Sequence, residues 1–214
     1  MSDIKSTDTK SQKSRVPVQE RSAARVAKVL EVAERLLVEV GTEKMSIPAV
    51  AEVADVPRAA IYPFFPDKYA IFSRLAQLHM QRMGGELASS SAERARTWQE
   101  WVEIVIKTSA KYYNANPAAC VLLLRGSFTD EDHSAHAAKN ETIADQLRRK
   151  AESLGELPQL PRKPDAAAIA VELGLACMKY GYALEKRISP AVCREATRAV
   201  TAYLMAWDAT TSSR

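Results

Sequence analysis

Residues 54–68 read ADVPRAAIYPFFPDK, and four of their side chains are suited to reading a nucleic acid. Arg58 carries a planar fork of donors that matches the acceptor pair of guanine. Ala59 and Ala60 are small enough to let a backbone approach base edges or to meet a thymine methyl group. Tyr62 can offer its hydroxyl to a phosphate. Pro57 suits the first turn of a helix, where a missing N–H costs little. Pro63 lacks a donor and disfavours helical geometry at Tyr62, so a helix opened at Pro57 is expected to stop there. Ile61 is placed to anchor this short piece inward.

Such a piece needs a platform. From about Gln19 the apolar residues Val26, Val29, Leu30, Ala33, Leu36, Leu37 and Val40 recur at helical spacing, and Gly41 supplies a stop. Ser46 is an N-cap candidate for a second helix, with Pro48 in its first turn and Ile47, Val50, Ala51 and Ala54 on one face. Asp55-Val56 makes a tight corner, since Asp tolerates the left-handed conformation better than most residues. Pro66-Asp67 opens a fourth helix with Ile71, Phe72, Leu75, Leu78 and Met83 inward. Two helices joined at a tight corner, the second short and exposed, form a helix-turn-helix whose second helix enters a major groove. The same pattern also describes a helical corner inside a larger core.

Charge is distributed unevenly. Residues 1–28 hold seven basic and three acidic side chains, which carries the whole net charge of +4; the remaining 23 basic and 23 acidic residues cancel. A polyanion suits a basic leading arm, and so does plain solvation of a disordered tail. Residues 1–18 are expected to be that disordered basic arm, 19–68 the helix-turn-helix domain and 69–214 a second helical domain. Only 7 glycines and 7% aromatics argue against a β-rich fold. Cys120, Cys177 and Cys193 are widely spaced and odd in number, which fits a reducing, cytoplasmic setting better than a disulfide framework. No apolar run reaches the roughly 18–20 residues a bilayer requires, and the N-terminus lacks a signal-peptide core.

From Arg25 to Phe72 the chain resembles the DNA-binding domain of the tetracycline-repressor (TetR) family. The resemblance rests on AERLLVEVG, SIPAVAEVADVPRAAIY and FFPDKYAIF, with Gly41, Ser46, Ala51, Val56, Ile61, Tyr62, Phe65 and Lys68 at matching positions. Asp55 stands where the family usually has Gly, Pro57 where it has Ser, and Phe64 where it often has His or Tyr. Pro63 occupies a position that is usually polar and often touches DNA. The resemblance implies an all-α fold: an N-terminal three-helix helix-turn-helix domain followed by a C-terminal helical ligand-binding and dimerisation domain. It implies a homodimeric, ligand-responsive regulator, a repressor released from a double-stranded DNA operator by a small molecule, and not an enzyme. The residues expected at DNA are Arg25, Ser46, Pro57, Arg58, Ala59, Ala60, Tyr62, Pro63 and Lys68. The alternative is a TetR-like helical small-molecule binder with weak or lost DNA binding, which Pro63 keeps open.

Further helices are expected near 97–114, 117–125, 130–154, 165–187 and 190–209. Gly155, Pro158, Pro161 and Pro164 mark a loop. Ala168, Gly174, Ala176 and Gly181 would let helices approach closely, and Leu173, Tyr182, Val200, Tyr203, Leu204 and Trp207 add apolar area for a subunit contact. His133, His136 and Asn140 share a stripe with Ile143 and Leu147, so they can orient a ligand or simply be solvated near a helix start. Glu172 can pair with Arg125 or with a ligand amine. Trp101, Tyr112, Phe128 and Met178, together with Trp98, Ile104, Val105 and Leu123, are candidate walls. His133 and His136 lack a convergent third ligand, so no metal is expected. No cofactor is expected either: the chain has no phosphate-cradling Gly loop, no HExxH and no recognisable nucleophile–base set.

Overall fold

The computed structural model describes residues 15–124, 130–154 and 160–211, and no β-strand occurs among them. Two compact units are present, Met1–Ile71 and Phe72–Arg214.

The first unit begins with α1 (Arg15–Lys44), interrupted at Gly41, whose φ of 78° is open to glycine and strained for other residues. The helix starts four residues before the periodicity suggested, within the stretch expected to be disordered, and Pro17 lies in its first turn, where proline is tolerated. α2 (Ile47–Ala54) is capped by Ser46, whose Oγ accepts from Ala49 N at 3.3 Å. It ends at Asp55 in the left-handed region (φ 51°, ψ 49°), while Val56 N–H reaches back to Ala51 O at 3.0 Å. α2 packs on α1 through Ile47, Val50 and Ala54, all buried against solvent.

The second unit takes in the greater part of α3 (Lys68–Ala88), then α4 (Trp98–Ala115), the single turn α5 (Pro117–Ala119), α6 (Asp130–Leu154), α7 (Ala166–Glu185) and α8 (Pro190–Thr211). The helix expected over 117–125 is instead that single turn followed by a wide π-turn, Cys120–Leu124. α4, α6, α7 and α8 form a closed circuit of packed pairs: α4 on α6, α6 on α7, α7 on α8 and α8 on α4. Side chains fix this circuit at its corners. Thr97 caps α4 by accepting from Glu100 N at 3.1 Å, and the Glu100 carboxylate reaches back to Arg96 N at 2.8 Å. The Asn114 amide bonds both Ile188 O and Ile188 N at 2.8 Å, pinning the start of the last helical turn region to α4. Asp165 caps α7 at Ala168 N (2.8 Å) and also accepts from the buried Arg148 of α6.

α7 is the one helix among the described residues long and apolar enough to cross a bilayer by length and composition, with a mean hydropathy of 1.3. The sequence offers no unbroken apolar run of that length, since Glu172 and Lys179 fall within α7, but the helix averages out as apolar. In the fold, α7 lies between α6 and α8. Gly174 and Gly181, read as aids to subunit contact, are buried within the chain: a Cβ on Gly181 would lie 2.5 Å from Val192 Cγ2 of α8.

Candidate functional site

The segment that follows α2 turns more tightly than a regular helix. Residues Arg58–Ala60 form a 3₁₀ turn closed by Ala60 N to Pro57 O at 2.8 Å and Ile61 N to Arg58 O at 2.9 Å. One α-type bond follows, Tyr62 N to Arg58 O at 3.2 Å, and then a second turn in which Phe64 N and Phe65 N both reach Ile61 O. Pro63 contributes no N–H to this ladder, so the helical piece is shorter than the expected run to Tyr62. Ile61 (1% exposed) and Phe65 (5%) are the anchors, whereas Tyr62 (47%) and Phe64 (44%) face out. Pro57, Arg58, Ala59 and Pro63 are exposed and Ala60 is half-buried. The outer face is therefore a guanidinium, two small methyls and a phenol. Those groups meet the demands of base-edge and phosphate contact.

Arg25 is exposed on α1. Ser46 spends its hydroxyl on the α2 cap. Lys68 donates to Thr42 O at 3.0 Å and Glu43 O at 3.3 Å, and its ammonium lies 5.6 Å from the Tyr69 ring centre. Its first task is thus to satisfy the carbonyls that α1 leaves open after the Gly41 break.

The circuit of α4, α6, α7 and α8 borders a small, partly open cavity of about 60 Å³. Trp101 and Val105 of α4, Ile143 and Leu147 of α6, and Val171 and Met178 of α7 are among its walls. Ser109 supplies the polar group of the described lining.

Residues 29–75 match the family model described as bacterial regulatory proteins, tetR family. The matched segment, residues 29–75, is of the tetR type. Solved structures agree at the level of fold. A TetR-family transcriptional regulator from Streptomyces coelicolor is 22% identical with a TM-score of 0.63, the likeness covering 86% of this chain and 99% of that one. A putative tetR family transcription regulator from Shewanella sp. PV-4 is 21% identical (TM-score 0.64; 85% and 97% covered). The fatty acid degradation regulator FadR from Bacillus halodurans is 16% identical (TM-score 0.65; 84% and 94% covered). No curated protein sequence matches the chain.

Within the matched segment the departures from the tetR pattern are accommodated locally. Asp55 takes up the left-handed corner, and Pro57 (φ −57°, ψ 134°) starts the reading turn without a side-chain cap. Among the residues expected at a ligand, Trp101 and Met178 line the cavity. Tyr112 Oη and His79 Nδ1 share a hydrogen bond of 2.8 Å, with both residues buried. Glu172 accepts from the Asn140 amide. Asn140 is buried, and its Oδ1 has no partner among the described residues. Arg125, Phe128 and the side chains of His133 and His136 lie outside the described residues. Ser109 lines the cavity as well, and its four-residue spacing from Val105 and Trp101 puts it on one helical face with those two walls.

Proposed function

We propose that this chain is a ligand-responsive repressor of the tetR family that binds a double-stranded DNA operator in the cytoplasm as a homodimer. The observation that carries the reading is the outward face of residues 57–63, held on buried Ile61 and Phe65 with Arg58 and Tyr62 left free to contact DNA. Dimerisation has its own support. Tyr180 (67% exposed), Leu184 (65%) and Met205 (56%) leave apolar area uncovered on α7 and α8. A twofold pair also sets two reading segments at about 34–36 Å or a multiple of it, matching successive turns of one duplex. The cavity supplies the sensing site. A ligand preferring the conformation with mis-spaced reading segments would release DNA by differential affinity alone.

The test is fluorescence anisotropy with the DNA upstream of the chain's own coding region, across about 50 to 200 mM salt. Sequence-selective binding that weakens by at least about tenfold over that range is expected, because phosphate contacts release counterions. Arg58→Ala should lower affinity by about tenfold or more and relax preference at one base pair. Weak binding with no sequence preference would favour the other reading, a helical small-molecule binder without useful DNA affinity.

A further inference from the structure

An open groove of about 780 Å³ runs along the second unit between the C-terminal half of α4 and the start of α8. Its described lining gathers four basic side chains: Lys107 and Lys111 of α4, Arg187 just before α8, and Arg194 near the start of α8. Glu103 is the acidic side chain of that lining, and its carboxylate is taken up by Lys107. The excess is local, because the 23 basic and 23 acidic residues beyond position 28 cancel. Lys111, Arg187 and Arg194 are exposed at the rim, whereas Ala110, Ile188 and Cys193 are buried beneath them. Burial raises the Cys193 thiol above its ordinary range, and the charges of Lys107 and Arg194 pull the other way, so cations of α4 and α8 act on one floor.

The walls are held in place by the chain itself. Asn114 donates to Ile188 O and accepts from Ile188 N, each at 2.8 Å, which fixes the link before α8 to α4. Cations gathered in a concave surface repel one another and focus a positive field, and an anion removes the repulsion. Arginine forks pair with phosphate through two parallel bonds, and lysine adds a point charge. Pro190 of the first turn of α8 also lines the groove, so the positive end of that helix faces the same space. The volume falls within the range of small-molecule sites, roughly 300–1,000 Å³.

We propose that this groove binds a small organic polyanion, an apolar-faced body bearing two or more phosphate groups, as in a nucleoside polyphosphate. Arg187, Arg194 and Lys111 hold the phosphates, and the floor of Ala110, Ile188 and Cys193 carries the body. The site shares no residue with the DNA-reading segment or with the cavity among α4, α6, α7 and α8, and it stands independently of both.

The experiment is isothermal titration of the full chain with ATP, adenosine and inorganic triphosphate, at neutral pH in about 150 mM salt without divalent cations. Saturable binding of ATP at one per chain is expected, at least about tenfold tighter than adenosine and about threefold tighter than triphosphate. Arg187→Glu and Arg194→Glu should each weaken ATP by about tenfold or more. Arg149→Glu, an equal charge change at an exposed site outside the groove lining, should leave ATP affinity unchanged. Thermal melts check that each of these surface variants still folds. No ATP binding, or the same loss in Arg149→Glu as in Arg187→Glu, would overturn the proposal. So would triphosphate binding as tightly as ATP, which marks an adventitious ion only. Hexaglutamate binding tighter than ATP would make the occupant an acidic protein segment, and the small-molecule assignment would be wrong. A parallel loss of operator affinity in Arg187→Glu would make the groove a DNA-phosphate contact instead.

Discussion

Asp55 is the residue most directly constrained by local geometry. Its left-handed conformation closes α2 and sets the corner before the reading turn, and a side chain there carries a steric cost that glycine avoids. Asp55→Gly is expected to stabilise the first unit by about 0.5–1 kcal/mol, read as a raised midpoint in urea. The two buried glycines of α7 separate cleanly. At Gly174 an added Cβ would lie 3.5 Å from Val200 Cγ2, an ordinary contact, so Gly174→Ala should gain about 0.5–1 kcal/mol from helix propensity. At Gly181 the added Cβ would strike the branched Val192 at 2.5 and 2.9 Å, and the stiffness of valine at χ1 leaves little relief. Gly181→Ala should therefore cost about 1–3 kcal/mol despite its better propensity. Equal effects of the two substitutions in chemical denaturation would contradict this packing. Cys120 is a further case. Burial pushes its thiol up to about 12, against an opposing backbone hydrogen bond, so at neutral pH it stays protonated. It should resist iodoacetamide in the native chain and react only after unfolding, as mass spectrometry of the labelled peptide would show.

At the scale of elements, the reading turn is too short to hold itself. Three 3₁₀ residues and a following turn close few backbone bonds, and an isolated helix of that length is not stable in water. Its position comes from Ile61 and Phe65, whose side chains are sealed from solvent. Ile61→Ala should cost about 2–4 kcal/mol and weaken operator binding even though Ile61 itself is buried. Unchanged DNA affinity in that variant would mean the segment is positioned by something else. Pro63→Gln restores a backbone N–H at the end of the turn and adds a polar side chain on the exposed face, so operator affinity or sequence preference should change. A gel-shift series showing neither change would remove Pro63 from the interface.

For the molecule as a whole, Arg148 and Asp165 tie α6 to the start of α7 at a corner of the helical circuit. Burial raises the Asp165 carboxyl, but the Ala168 N–H and the Arg148 guanidinium outweigh it and hold the group below its ordinary range. A carboxyl depressed in the fold is ionised there while the unfolded chain is already taking up a proton. Its stabilisation is complete above the unfolded value of about 3.9 and is lost as pH falls through the lower folded value. The wild-type chain should therefore lose stability below about pH 4, and Asp165→Asn should flatten that part of the profile in acid titrations followed by circular dichroism.

The succession of helices, the Ser46 cap, the Gly41 break and the proline-bounded reading segment were legible in the sequence because each depends on neighbours within a turn or two: spacing, a capping hydroxyl, a missing N–H. The inward anchoring of Ile61 was legible for the same reason. What the sequence left open depends on groups far apart along the chain. Lys68 was placed at DNA by its register, yet 26 residues separate it from the Thr42 carbonyl it satisfies. Gly181 was read as a subunit contact because small residues look alike wherever a helix approaches, and Val192 decided which helix that was. The cavity walls, Trp101 of α4, Leu147 of α6 and Met178 of α7, meet only in the fold, because a space between helices exists only once helices distant along the chain have packed.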